Sequence, residues 1–167
     1  MFHRAGDSMH EELLRLYEED QADRKGQMHP DMRERDRVRR QRIEELISAG
    51  ALQTGEDYFH AAMIFQHGEM LAHYWRAHEL AKKAAEMDHS TGRWLTAAAY
   101  DRWLMKQGKP QKYGTQYISH GGGPYTLWEV DPTTTDAERA EWNVPSLAEA
   151  QRRAEQITQS RTLRKEE

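Results

Sequence analysis

Tyr58-Phe59-His60-Ala61-Ala62-Met63-Ile64-Phe65-Gln66-His67, closed by Gly68, is the stretch on which the fold turns. Apolar residues fill almost every position, so no continuous polar face is left for water. A helix of this kind sits in the centre of its domain and is covered by others. Thr54 is placed to cap it, and Gly68 to stop it.

Covering helices are written on both sides. Ser8 and Glu11 form an S-x-x-E capping box, after which Met9, Leu13, Leu16 and Tyr17 fall at helical spacing; this helix fades near Gly26. Pro30 and Asp31 suit the start of a second helix, which ends at Gly50 behind Ile43, Leu46 and Ile47. The central helix, Tyr58 to His67, comes third. A fourth, about Met70 to Met87, carries Tyr74, Ala77, Leu80, Ala81 and Ala84 on one stripe. Ser90 or Thr91 caps a fifth, running through Trp94, Ala97, Ala98, Trp103 and Leu104 to Gly108, and Pro110 blocks its continuation.

Beyond Pro110 the pattern changes. Two runs of β-formers, Thr115 to His120 and Pro124 to Val130, flank Gly121-Gly122-Gly123 and predict a β-hairpin over 115–130. Asp131-Pro132 ends it. A short helix follows Thr135, around Ala137 to Trp142. Ser146 and Glu149 make another capping box, opening a last helix over 146–159, with a frayed tail at 161–167. Ala61-Ala62-Met63 and Ala97-Ala98-Ala99 echo each other 36 residues apart, near the period of tetratricopeptide-type hairpins. The expected fold is therefore mostly α. It is a compact bundle of about five to seven helices with tetratricopeptide-like hairpin packing, a helical core over 8–108 and one small β-hairpin, in a single domain over 1–160.

Composition agrees with such a bundle. The chain has 167 residues, 37% of them hydrophobic and 31% charged, with five Trp and seven Tyr to furnish a core. The absence of cysteine excludes a disulfide framework and a thiolate metal site. A net charge of -4 gives no general attraction to nucleic acid. No apolar run approaches the ~18 residues of a membrane span, and no signal-peptide core is present, so the expected location is the cytoplasm.

Histidine is over-represented where chemistry is expected. Six of the nine histidines lie between His60 and His120. His60 and His67 are two turns apart on one face of the central helix, where a neutral imidazole can serve as general base. The competing reading is a core histidine satisfied by backbone or by Gln66. No H-x-x-x-H or H-E-x-x-H occurs, and His73 and His78, five apart, diverge on a helix, so no metal is assigned.

Asp101 shares the face of Trp94, Ala97 and Ala98. A carboxylate there must be paired, hydrogen-bonded or shifted in pKa. Arg102 lies roughly 100° further round the helix and so cannot simply pair with it. Asp101 can orient a histidine and Arg102 can hold an anion; alternatively, an ion pair ties the fifth helix to the first or second. Gln111, Tyr113 and Gln116 follow the helix stop without charge. They suit a polar ligand, or the satisfaction of a buried loop's backbone.

The cationic run Arg33, Arg35, Arg37, Arg39, Arg40 and Arg42 is interleaved with Glu34 and Asp36 and holds no aromatic residue for stacking on bases. It reads as a solvated helix face, and nucleic acid is not the expected partner.

Several of these stretches together resemble a known family. They are Asp20-Gln21-Ala22-Asp23-Arg24, Asp57-Tyr58-Phe59-His60 through Gln66-His67-Gly68, Ala77-His78-Glu79-Leu80-Ala81, and Asp101-Arg102-Trp103-Leu104 running to Gly108-Lys109-Pro110-Gln111-Lys112-Tyr113-Gly114-Thr115-Gln116-Tyr117. The chain is similar here, from about Leu13 to Val130, to a family of uncharacterised bacterial proteins known as a domain of unknown function. The resemblance implies a stand-alone, mostly helical bacterial protein and marks His60, Gln66, His67, Asp101, Arg102, Gln111, Tyr113 and Gln116 as motif positions. It transfers no activity.

Two functions fit. One is a helical binding module with a polar pocket between the third and fifth helices for a small molecule or peptide, lined by Gln66, Gln111, Tyr113 and Gln116. The other is a small hydrolase- or transferase-type enzyme, with His60 or His67 as base, Asp101 orienting it and Arg102 holding an anion. No cofactor and no number of copies is written in the sequence.

Overall fold

The computed structural model describes residues 10–25 and 29–166. The Ser8 cap and the expected helix end at Gly26 lie outside these. Five helices come first: α1 (Glu11–Asp23), α2 (Met32–Ser48), α3 (Gly55–Gln66), α4 (Leu71–Glu86) and α5 (Gly92–Met105). A small antiparallel pair, β1 (Tyr117–Ser119) and β2 (Tyr125–Leu127), precedes α6 (Asp136–Glu141) and α7 (Leu147–Glu166). The protein is a helical bundle with one small β-hairpin.

The central position of α3 follows from its sequence. Its start is fixed by a full capping box: Thr54 Oγ1 accepts from the Asp57 N–H at 3.1 Å, and Asp57 Oδ2 accepts from the Thr54 N–H at 2.9 Å. Asp57 is wholly buried, and its carboxylate also accepts the N–H groups of His10 at 2.7 Å and Gln53 at 3.0 Å. One carboxylate thus holds the entry to α3 and the start of α1 together. Around α3 the core gathers Leu13 and Leu16 of α1, Ile43 and Leu46 of α2, Leu80 of α4 and Leu95 of α5.

Helix α4 packs between α3 and α5. Small side chains make this close approach feasible: Ala61 and Ala62 on α3, Ala77, Ala81 and Ala84 on α4, and Ala97 to Ala99 on α5 are all buried. Where α5 meets the end of α4, at Gly92, a Cβ would stand 2.6 Å from the backbone nitrogen of Ala85. Only glycine lets α5 begin against the end of α4. The α5 cap differs in kind from the one expected: Thr91 occupies the N-cap position but makes no side-chain capping bond.

The last helix extends beyond Gln159 to Glu166, through most of the tail expected to fray. Tertiary contact holds it as far as Arg161. Thr158 Oγ1 accepts the Tyr125 N–H at 2.8 Å, and Arg161 lies over the Tyr125 ring at 5.5 Å while donating to Ser119 Oγ at 3.2 Å. The hairpin clamps α7 and is itself covered by it.

Candidate functional site

Asp101 is wholly buried near the C-terminal end of α5 and faces the loop that follows. Its Oδ1 accepts the N–H groups of Lys112 at 2.8 Å and Tyr113 at 2.9 Å. Its Oδ2 accepts the N–H groups of Gly114 at 3.0 Å and Thr115 at 3.1 Å, and the Thr115 hydroxyl at 2.8 Å. Four consecutive amides therefore wrap one carboxylate, with Gly114 at φ +102, a conformation that side-chain-bearing residues rarely adopt. Burial pushes the Asp101 carboxyl above its ordinary value, and the bonds from Tyr113, Thr115 and Lys112 oppose that push.

This arrangement corrects two expectations. Asp101 makes no ion pair with the first or second helix, because its face of α5 looks to the loop instead. Nor does it orient a histidine: its lone pairs are taken by the 112–115 segment. The pairing across to α1 and α2 belongs to other residues.

Gln111 and Gln116 build the base of the hairpin. Gln111 has no exposed surface. Its Oε1 accepts the Gln116 N–H at 2.9 Å, and its Nε2 donates to the carbonyls of Gln116 at 3.0 Å and Trp128 at 2.8 Å. The side-chain amide serves as a missing strand partner, with both its N–H groups and one oxygen lone pair bonded to backbone. Tyr113 is likewise buried. Its ring lies 6.2 Å from that of Trp142, and its carbonyl accepts from Arg139 Nε at 2.7 Å. Gln111 and Tyr113, both expected at a ligand, are thus builders of the loop.

Gln116 reaches the other way. Its Oε1 accepts Arg102 Nε at 2.9 Å, while its Nε2 donates to the Ala98 carbonyl at 3.3 Å and to Thr115 Oγ1 at 3.0 Å. Arg102 also donates through Nη1 to the Gln66 carbonyl at 2.8 Å, at the end of α3. The guanidinium is thus held by two neutral acceptors, and no carboxylate pairs with it among the described residues. Desolvation by burial pushes it below its ordinary value; Tyr74 opposes that push, and the Arg24 charge adds a smaller one in the same direction. Next to it, Gln66 Oε1 is buried without a partner.

His67 follows Gln66 and C-caps α3. Its Nδ1 lies 2.9 and 3.2 Å from the two carboxylate oxygens of Asp20, which is wholly buried. Asp20 also accepts from Arg24 Nη1 at 2.8 Å and Gln21 Nε2 at 3.0 Å. A carboxylate acceptor on Nδ1 places the proton there in the neutral ring, which leaves Nε2 as a lone-pair nitrogen. The His67 side chain keeps 20% of its surface exposed. The partner that sequence reasoning missed is thus Asp20, separated from His67 by 47 residues. Its only signal was its place in the quoted Asp20–Arg24 stretch.

His60 is different. It is 2% exposed, with Nε2 3.2 Å from Glu56 Oε1 and its ring stacked on Tyr17 at 4.4 Å. Glu56 also reaches His89 Nε2 at 2.8 Å. Burial pushes the His60 imidazole below its ordinary value. It is a core histidine, not brought near Arg102 by any contact.

The cationic run on α2 is largely paired. Arg35 and Arg39 both reach Asp23; Arg39 and Arg24 share Asp36; Arg42 holds Glu12 and Glu45. Arg35, assisted by Arg39, holds the Asp23 carboxyl down to about 2. The run is a structural lattice joining α1 to α2.

Asp20 and Arg24, Gln66 and His67, and Arg102 and Gln116, drawn from three separated stretches, therefore form one chain of contacts where α1, α3 and α5 meet. Comparison with protein-family models, with curated proteins and with solved structures returns no match.

Proposed function

We propose that the protein is a helical binding module that takes a small molecule or peptide segment through an anionic group, held beside His67 and Arg102. The observation carrying this reading is Arg102: a guanidinium fixed by Gln116 and the Gln66 carbonyl, without a carboxylate among the described residues. A partly buried cation without a counter-charge costs free energy, which a bound anion recovers. Planar donors on Arg102 suit carboxylate or phosphate oxygens. In the membership proposed from its motifs, the protein is one of an uncharacterised bacterial family.

The Asp20–His67 contact supports a second reading, a hydrolase- or transferase-type enzyme with His67 as general base. Here Asp20 takes the orienting role that the sequence suggested for Asp101, and Arg102 holds the anionic part of the substrate.

Isothermal titration with inorganic phosphate separates the outcomes. Saturable binding to the wild type, at least ten-fold weaker in Arg102→Gln, is expected of the module. Equal binding by both proteins contradicts it. His67→Gln distinguishes the second reading: an enzyme keeps its binding and loses turnover, whereas a module has no turnover to lose.

A further inference from the structure

A second site, independent of the one above, lies between α2 and the α3–α4 connection. An open cleft of about 410 Å³ is lined by Arg40, Glu44, Phe65, Glu69, Met70 and His73, among others. Arg40 is only 6% exposed, and its Nη1 is buried with no hydrogen-bond partner. Every other charge there is already committed. Glu44, one turn on from Arg40, is held by Arg76 at 3.0 and 3.1 Å. Glu69 is paired with Arg33 at 3.3 Å, and Arg37 with Glu34.

His73 supplies a second donor. Its Nδ1 accepts the backbone N–H groups of Glu69 at 3.1 Å and Met70 at 3.3 Å, so in the neutral ring the proton sits on Nε2. Burial and the Arg40 charge both push this imidazole below its ordinary value. The cleft's uncompensated positive charge is therefore that of Arg40 alone. Phe65 and Met70 supply apolar wall, Met70 with 58% of its surface exposed and free to adjust.

We propose that this cleft binds a small monocarboxylate with an apolar body, its carboxylate against Arg40 and the His73 Nε2–H, and its hydrocarbon between Phe65 and Met70. A single negative charge fits better than a dianion, since Glu44 and Glu69 stand on the same rim. The volume is within the ~300–1,000 Å³ range of small-molecule sites.

Octanoate and its neutral analogue octanamide test the assignment, titrated into the full chain with backbone amide resonances followed by NMR. Octanoate is expected to shift Glu69, Met70 and His73 saturably, with affinity at least ten-fold weaker in Arg40→Met. Because that variant removes a buried unpaired charge, its unliganded melting temperature should equal or exceed that of the wild type. Met70→Glu, at an exposed rim position, gives a second test by adding a repelling charge, and should also weaken octanoate. Octanamide binding as tightly as octanoate, unchanged octanoate affinity in either variant, displacement of octanoate by equimolar phosphate, or no saturable shift in the wild type would each overturn the proposal.

Discussion

Asp101 shows how much a single side chain can hold in place. With four amides and one hydroxyl converging on it, Asp101→Asn replaces an acceptor oxygen by an amide that faces N–H groups at about 3 Å. Orphaned buried donors cost ~1–3 kcal/mol each. A loss of roughly 3 kcal/mol in chemical denaturation is expected, and a change below about 0.5 kcal/mol would contradict the assigned role. That a carboxylate on this face must be paired or hydrogen-bonded was legible in the sequence; its partners were not, because backbone N–H groups carry no residue signature. His67 and Asp20 are a similar case, since nothing local connects two positions 47 residues apart. His60 makes a pH prediction. Its folded-state affinity for protons is lowered by burial, so the unfolded chain takes up protons first as pH falls. This contribution to stability is complete above the ordinary histidine value of ~6.5 and is lost as pH drops through and below it. Melting temperatures measured from pH 8 to pH 5 should fall, and His60→Phe should flatten that decline; an unchanged slope in the variant would refute the assignment.

Helix boundaries divide by the kind of force that sets them. The cap at Thr54 and the box at Ser146–Glu149 were legible, because a cap and the amide or carboxylate it meets lie three residues apart; that Asp57 completes a box with Thr54 came from the structure. The far end of α7 was not, because Thr158 and Arg161 are anchored by the hairpin rather than by their neighbours. Thr158→Val should leave the Tyr125 N–H without its acceptor, costing about 1 kcal/mol and accelerating hydrogen exchange of the hairpin amides. Unaltered exchange there would show that α7 does not hold β2. At the opposite end of the bundle, Gly92→Ala forces a methyl group to within 2.6 Å of the Ala85 nitrogen. Helix propensity favours alanine by ~1 kcal/mol, so a stabilised variant is the simple expectation from α5 alone. The close α4–α5 approach reverses that sign, and a net loss of roughly 1–3 kcal/mol is expected on thermal unfolding.

Across the molecule, two layers of interaction hold the helices. The apolar layer around α3 was readable from hydrophobic periodicity, and its alanines fix how closely α4 fits between α3 and α5. Outside it, Asp20, Asp23 and Asp36 interlock with Arg24, Arg35 and Arg39 and join α1 to α2. The sequence reading placed these arginines on a solvated face, yet Arg39 is buried between Asp23 of α1 and Asp36 of its own helix, and Arg40 is buried with no carboxylate partner. Arg102 of α5 and Arg40 of α2 are sheltered cations that no described carboxylate neutralises, and binding is attributed to them for that reason. The central claim concerns the first of these. Following the His67 Cε1–H resonance by NMR while inorganic phosphate is titrated into wild type and Arg102→Gln tests it most directly. The account predicts a saturable displacement in the wild type that needs at least ten-fold more phosphate in the variant. A resonance that stays in place, or moves equally in both proteins, would contradict it.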